Sequence, residues 1–178
     1  VQNLSDFKEI NKFRDLLLLL LKRIGTKLDI SKLSSELGVS RETIYSYISF
    51  LEKTYFIKLI SPFTMSIDRE IGGTKKIYIC DNGIAKYIGK SDDGNLLENA
   101  IFNNLKDYGE INYYERRSGG EIDFILKEKS TALEVKNKGD EKDYLRLRRI
   151  ADSLKLKEAY LISKVFVDKN GFVAASDV

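Results

Sequence analysis

Two short stretches near the middle of the chain carry side chains that could do chemistry together. Glu121 and Asp123 alternate with Ile122, Phe124 and Leu126, and Glu134 and Lys136 alternate with Leu133 and Val135. Period-2 alternation of this kind predicts two half-buried strands, with the apolar set on one face and the charges on the other. A tight, even-length loop centred between Glu128 and Lys129 then sets Asp123 against Glu134 and Glu121 against Lys136. Like charges directly opposed on a sheet are destabilising unless a cation, a proton or solvent intervenes. Oxygen ligands for a hard cation, beside a lysine that can orient a water or steady developing negative charge, are what a magnesium-dependent phosphodiesterase needs. A solvated charged hairpin would show the same alternation.

Other chemistries are excluded by composition. The chain has no histidine and one cysteine, so Ser-His-Asp and Cys-His triads, His-bearing zinc sites and cysteine cages are all ruled out. Cys80, at the end of the apolar run Ile77–Cys80, is expected as a buried strand thiol in a reducing interior. A formal net charge of +3 on 178 residues makes any nucleic-acid contact a matter of local basic patches. The longest apolar run, Leu16–Leu21, is too short to cross a bilayer, so no membrane segment or signal peptide is expected and a cytoplasmic location follows.

The elements that position these residues can be read in order. Phe7, Ile10, Phe13, Leu17, Leu20, Leu21 and Ile24 recur at helical spacing over Asp6–Ile24, and Gly25 stops the run. Ser31 is expected to cap a short helix ending at Leu37, Gly38 to make a turn, and Ser40 to cap a second helix. This helix-turn-helix pattern buries Ile44, Ile48 and Leu51 and leaves Arg41, Thr43, Tyr45, Ser46 and Ser49 outward. Strands are predicted at Phe56–Ile60 and Lys76–Cys80, flanking a long loop with Arg69, Gly72, Gly73, Lys75 and Lys76 that could act as a basic wing. Residues 1–88 thus read as a winged helix-turn-helix domain, with Arg41, Tyr45, Ser49, Lys75 and Lys76 as its nucleic-acid contacts. Such domains also serve as protein-interaction modules.

A short helical piece, Ile84–Ile88, precedes the loop Gly89–Asn95, which marks the domain boundary. Residues 89–178 then show a helix over Leu96–Asp107, with Glu98 near its N-terminus, where the helix dipole favours a carboxylate. Strands follow at Ile111–Arg116, Glu121–Lys127 and Thr131–Lys136, then a basic amphipathic helix carrying Tyr144, Leu147, Ile150, Ala151 and Leu154. A strand at Ala159–Ser163 and a last strand pair turning at Asn170-Gly171 complete an α+β or α/β domain of order αβββαβ.

A helical glutamate, an aspartate on the second strand and a Glu-x-Lys on the third, in that order, resemble the PD-(D/E)XK nuclease-like fold across the second half of the chain. By position, the resemblance implies Glu98, Asp123 and Glu134 as metal ligands and, with Lys136, as the catalytic set. Glu121 stands as an accessory carboxylate, and Gly120-Glu121-Ile122-Asp123 lacks the proline of the family name. The whole chain resembles the C-terminal region of prokaryotic AAA-type ATPases, through Lys76-Ile-Tyr78-Ile-Cys-Asp81-Asn-Gly83-Ile84, Leu97-Glu98-Asn99, Tyr113-Tyr114-Glu115-Arg116 and Glu134-Val135-Lys136. That resemblance implies ATP handled only by an ATPase domain outside this chain, which would be its partner, while the nuclease-like site would take magnesium and, with the winged helix, DNA. Val1 in place of an initiating methionine, and the lack of a GxxxxGK[ST] phosphate loop, agree with a fragment of something longer. Two readings stay open. One is a magnesium-dependent nuclease to which the winged helix delivers DNA, with Lys138, Lys142, Arg146, Arg148 and Arg149 along the phosphate approach. The other is a non-catalytic regulatory or interaction module on a nuclease-like scaffold. Whether Glu98, Asp123 and Glu134 converge on one metal-sized space separates the two.

Overall fold

The leucine run that is too short for a bilayer becomes the middle of helix α1 (Leu4–Lys22), where Leu16, Leu20 and Leu21 are fully buried together with Ile24. The computed structural model describes residues 4–64, 66–116, 119–165 and 167–178, with side chains from residue 9 onward except Ile67 and Arg69. The expected core residue Phe7 and wing residue Arg69 therefore have side chains outside the described residues.

Helix α2 (Ile30–Leu37) is capped by Asp29, whose carboxylate accepts from the Lys32 N–H, and not by Ser31. A carboxylate two residues earlier gains both the hydrogen bond and the interaction with the helix dipole. Gly38 makes the turn in the left-handed conformation (φ 62°), and Ser40 caps α3 (Arg41–Lys53), which buries Ile44, Ile48 and Leu51 as its spacing predicts. Strands β1 (Ile57–Ile60) and β2 (Lys76–Ile79) pair antiparallel. The segment between them, expected as loop, contains a short helix, α4 (Ile67–Gly72). Cys80 is exposed and not a buried strand thiol, because it falls one residue past the last β1–β2 pair, Ile57–Ile79.

A one-turn helix α5 (Asn82–Ile84), capped by Asp81, runs on as a π turn over Ala85–Gly89. The turn lies against α1, and at Gly89 an added Cβ would come within 2.8 Å of the Leu21 Cβ and 3.0 Å of its carbonyl oxygen, so only glycine permits the approach. Helix α6 (Asp93–Leu105) follows, then strands β3 (Ile111–Glu115), β4 (Glu121–Leu126) and β5 (Thr131–Lys136), helix α7 (Glu141–Ser153) and strands β6 (Glu158–Ser163) and β7 (Phe172–Ala174). The second sheet has the order β3-β4-β5-β6-β7, antiparallel from β3 to β5 and parallel from β5 to β7. Asn170-Gly171 does not close a hairpin. It leads into β7, which lies parallel to β6 and so forms no pair with the residues just before the turn. The described residues thus form a mixed α+β structure with seven helices and two sheets.

Helix α6 covers one face of the larger sheet and α7 the other. On the α6 side Tyr78, Phe102 and Phe124 pack ring against ring, with Tyr78 and Phe102 stacked 4.4 Å apart. On the α7 side Ile122, Ile125 and Ala132 meet Leu147, Ile150 and Ala151. One apolar core runs from Leu16 to Ile162 through both halves of the chain. The Pro62 bridge to Tyr113 ties the end of β1 to β3 of the larger sheet, and Lys27 bridges to Lys76 on the small sheet.

Asn99 holds α6 to β2. It is fully buried, accepts from the Ile79 N–H (2.9 Å) and donates to the Ile79 carbonyl (2.9 Å) and to Asn82 (2.7 Å). Asn99→Leu keeps the volume but strands the Ile79 peptide, at a cost of about 1–3 kcal/mol per unsatisfied group. A large drop in the denaturation midpoint is expected, against a small one for Asn104→Ala on the exposed side of the same helix. Equal shifts for the two variants would show that the clamp carries little.

Candidate functional site

The chain brings an ammonium and three carboxylates together where β2, α6 and β4 meet. A break in strand alternation makes this possible. Between β3 and β4 the register shifts, with Asn112 opposite Ile125 but Tyr114 opposite Ile122, so Asp123 and Phe124 together face the single residue Tyr113. Such a β-bulge turns consecutive side chains to one side. Ile122 consequently joins Ile125 on the α7 face, and Asp123 lies with Phe124 on the α6 face, contrary to the simple alternation expected from the sequence.

Lys76 stands at the centre of the group. Its side chain is 5% exposed, and its Nζ lies 3.8 Å from Glu98 Oε1 and 4.0 Å from Asp123 Oδ1 while pairing directly with Glu121. Lys76 is therefore a buried residue of β2 and not an exposed residue of the wing, because the Lys27 bridge and the β1 pairing extend the sheet through it. Tyr78 donates its hydroxyl proton to Glu98 Oε1 (2.6 Å), and the Val135 N–H donates to Asp123 Oδ2 (2.8 Å). The Tyr113 ring lies 5.4 Å from Lys76 Nζ, and its hydroxyl donates to the Thr74 carbonyl. Glu98 sits in the second turn of α6 and not at its N-terminus, since that helix, capped by Asp92, starts at Asp93, three residues before the expected Leu96.

The electrostatics follow from burial. Asp123 is pushed up to about 7, first by loss of water and then by the Glu98 charge, against the pull of Lys76 and the Val135 N–H. Burial likewise raises Glu98, with Lys76 and the Tyr78 hydroxyl opposing. Burial works against the Lys76 ammonium, but Glu98, Asp123 and Glu121 outweigh it and hold its pKa above the ordinary lysine value.

Glu134 belongs to a different cluster. Its side chain is 3% exposed, and Oε1 pairs with Arg146 of α7 and with Lys136 (3.0 Å). The β4–β5 ladder keeps the expected register from Leu126–Thr131 to Phe124–Leu133, but beyond it Asp123 bonds the Val135 backbone. The predicted set of Glu98, Asp123 and Glu134 is therefore brought together only in part. Among the described residues, no three acidic side chains are disposed to hold a metal ion. The residues as arranged do not fit magnesium, because the Lys76 ammonium lies between Glu98, Glu121 and Asp123. Of the proposed phosphate approach, Arg146 is engaged by Glu134 and Asp143, Arg148 by Asp152 and the Lys157 carbonyl, and Arg149 by the Leu145 carbonyl.

Arg41 and Tyr45 are exposed on α3, and Ser49 and Lys75 are partly buried. Tyr45, Ser49 and Lys75 line a cleft of about 980 Å³ between α3 and the α4 segment, joined there by Lys27 and Ile71. Sequence reasoning missed Lys27, Tyr78 and Tyr113. Tyr78 and Tyr113 fall inside the motifs quoted above, but nothing in their spacing distinguishes them from ordinary strand aromatics.

This chain belongs to the family described as a domain of unknown function, DUF8612, which its residues 1–94 match. Residues 93–169 match another domain of unknown function, DUF4143, a domain commonly found at the C-terminus of AAA-ATPase-like proteins. An uncharacterized protein of Methanocaldococcus jannaschii, MJ1544, is 28% identical over 131 residues, which cover 70% of this chain and 29% of that protein. The chain thus spans less than a third of that relative's length. No solved structure matches it.

A carboxyl group whose folded pKa is raised binds its proton more tightly in the native state. It adds stability below its unfolded pKa, and that stability is lost as pH rises through the folded value. Asp123 should therefore cost the protein stability progressively as pH rises from about 4 to about 7, with its contribution fully lost above that. Asp123→Asn keeps an acceptor for the Val135 N–H and removes the charge. Chemical denaturation across this range should show a flatter pH profile for the variant, and at pH 8 a midpoint at or above wild type. Parallel profiles would mean that Lys76 keeps Asp123 ionised throughout.

Proposed function

We propose that this chain is the DNA-associated C-terminal portion of an AAA-type ATPase, a winged helix over residues 1–88 docked on a PD-(D/E)XK nuclease-like scaffold over 89–178 that does not itself cleave phosphodiesters. The non-catalytic reading rests on one observation: an internal ammonium, Lys76, pairs with Glu121 and stands within 4.0 Å of both Glu98 and Asp123, in the space a cation would need. Metal-assisted hydrolysis needs carboxylates that present free oxygens to a hard cation with open coordination positions. Glu134 is held through Oε1 by Arg146 and Lys136, and its buried Oε2 alone is left without a partner. The alternative, a magnesium-dependent nuclease, requires both sets of ion pairs to open before any metal could enter.

The winged-helix reading is supported by element order: α1, a bridge at Lys27, α2, α3, β1, a crossing segment with α4, and β2. In that arrangement the outward face of α3 meets the major groove and the β1–β2 connection lies against the backbone. Arg41 and Tyr45 would contact the duplex from α3 and Lys75 would meet phosphate. Lys76 drops out of the contact set. The scaffold would hold the base of that connection through Tyr113 and Thr74, and would present the remaining surface to the ATPase domain.

Binding of a labelled duplex, followed by anisotropy over a salt series, tests the first half. Arg41→Glu and Lys75→Glu should each weaken binding, and losing one phosphate contact should lower the salt slope by about 1. Affinity independent of salt would overturn the DNA reading. For the second half, manganese should leave the melting temperature of wild type unchanged, and no metal-dependent cleavage of duplex or single-stranded DNA is expected. Cleavage by wild type that Asp123→Asn abolishes would establish the nuclease instead.

A further inference from the structure

A groove on the side of α3 and β1 facing α6 carries polar groups that the fold leaves unsatisfied. Its larger part, about 680 Å³, includes Tyr55, Cys80 and Asn103, and a second part of about 270 Å³ includes Asn112. Lys58, Phe102 and Lys106 line both parts, so the two lie side by side.

Among the described residues, buried side-chain oxygens without a hydrogen-bond partner include Asn103 Oδ1 and Asn112 Oδ1. Asn112 is 0% exposed. In both residues the amide nitrogen is committed to backbone, Asn103 to the Ile79 carbonyl (2.9 Å) and Asn112 to the Ser61 carbonyl (3.3 Å). The oxygens are thereby left as acceptors, and a buried acceptor calls for a donor. Lys58 and Lys106 are exposed and, unlike Lys76, Lys127 and Lys136, have no carboxylate within ion-pair distance among the described residues. Glu52 and Asp107 lie on the same rim, so the groove is not a uniformly basic track for a long polyanion. Tyr55 is 84% exposed and adopts φ 58°, a left-handed conformation at a helix end where glycine is the usual residue. Lys90, Ser130 and Lys155 share that backbone conformation, so it is the exposed ring of Tyr55 that bears on binding.

Anion-binding ammonium groups, hydrogen-bond acceptors and an exposed ring within one mononucleotide-sized groove describe a complementary ligand. The geometry points to a nucleoside phosphate, its phosphate between Lys58 and Lys106, its amine or hydroxyl donors on Asn103 and Asn112, and its base against Tyr55. The ligand could be a free nucleotide or the end of a single strand, and both present the same chemistry. The site lies apart from Arg41, Lys75 and the Lys76 cluster, and does not depend on the function proposed above.

Cys80 is the sole cysteine, is exposed, and lines this groove, so its labelling by a maleimide reports occupancy directly. Labelling rates are measured alone and with ATP, AMP, a hexadeoxyadenylate or inorganic phosphate. Slowing by ATP or AMP supports the site and identifies a free nucleotide. Slowing by the oligonucleotide alone supports it and identifies a strand end. No slowing by any of them, or equal slowing by inorganic phosphate, overturns it. Tyr55→Gly relieves the backbone strain and should melt no lower than wild type, yet should need roughly tenfold more nucleotide for the same protection. Lys58→Glu combined with Lys106→Glu, both on the surface, should abolish protection, whereas Arg41→Glu and Lys75→Glu should leave it intact. Unaltered protection in the Tyr55 and Lys58/Lys106 variants would overturn the assignment.

Discussion

An ammonium taken out of water is tolerated only while opposite charge surrounds it, and Lys76 meets that condition with carboxylates from two elements. Glu98 comes from α6, and Glu121 and Asp123 from β4, while Lys76 itself belongs to the small sheet. Removing the ammonium would leave Glu98, Glu121 and Asp123 facing one another, and an uncompensated buried charge costs several kcal/mol. The cluster therefore fixes how the first sheet lies against the second more firmly than apolar contact alone would. The Tyr113 ring, close to Lys76 and hydrogen-bonded to Thr74, adds a further tie at the same point.

That arrangement depends on one extra residue in one strand. Without the bulge at Asp123–Phe124, strict alternation would carry Asp123 to the α7 face, where Ile122 now packs against Leu147 and Ile150. The bulge also ends the regular β4–β5 ladder, which frees the Val135 N–H to reach the Asp123 carboxylate. Sheet irregularity, charge placement and the unusual proton affinity of Asp123 share this single cause.

Much of the element order was legible because long periodic runs and capping residues are local signals. The buried face of α3, the Gly38 turn, the Ser40 cap and the β4–β5 register all depend on neighbours within a few positions. What failed depended on contacts distant in sequence. Alternation hid the bulge, which exists because β4 must fit both β3 and the Lys76 cluster. Lys76 looked like a loop residue because its burial comes from Lys27, Glu98 and Glu121, which lie far away along the chain. Glu134 looked like a metal ligand because nothing in its own strand foretells Arg146 on the following helix. The helix α4 carries too little periodicity to stand out from the loop around it.

The two family matches meet at residues 93–94, yet the apolar core continues from Leu16 to Ile162 and Asn99 bonds directly across the junction. Recognisable sequence units and units of cooperative folding are therefore different things in this chain. If each half exposes apolar surface and half a charge cluster when alone, recombination at the boundary cannot freely exchange one half for a distant version. A change in β2 would then call for a matching change in α6, which makes the junction the least exchangeable part of the chain.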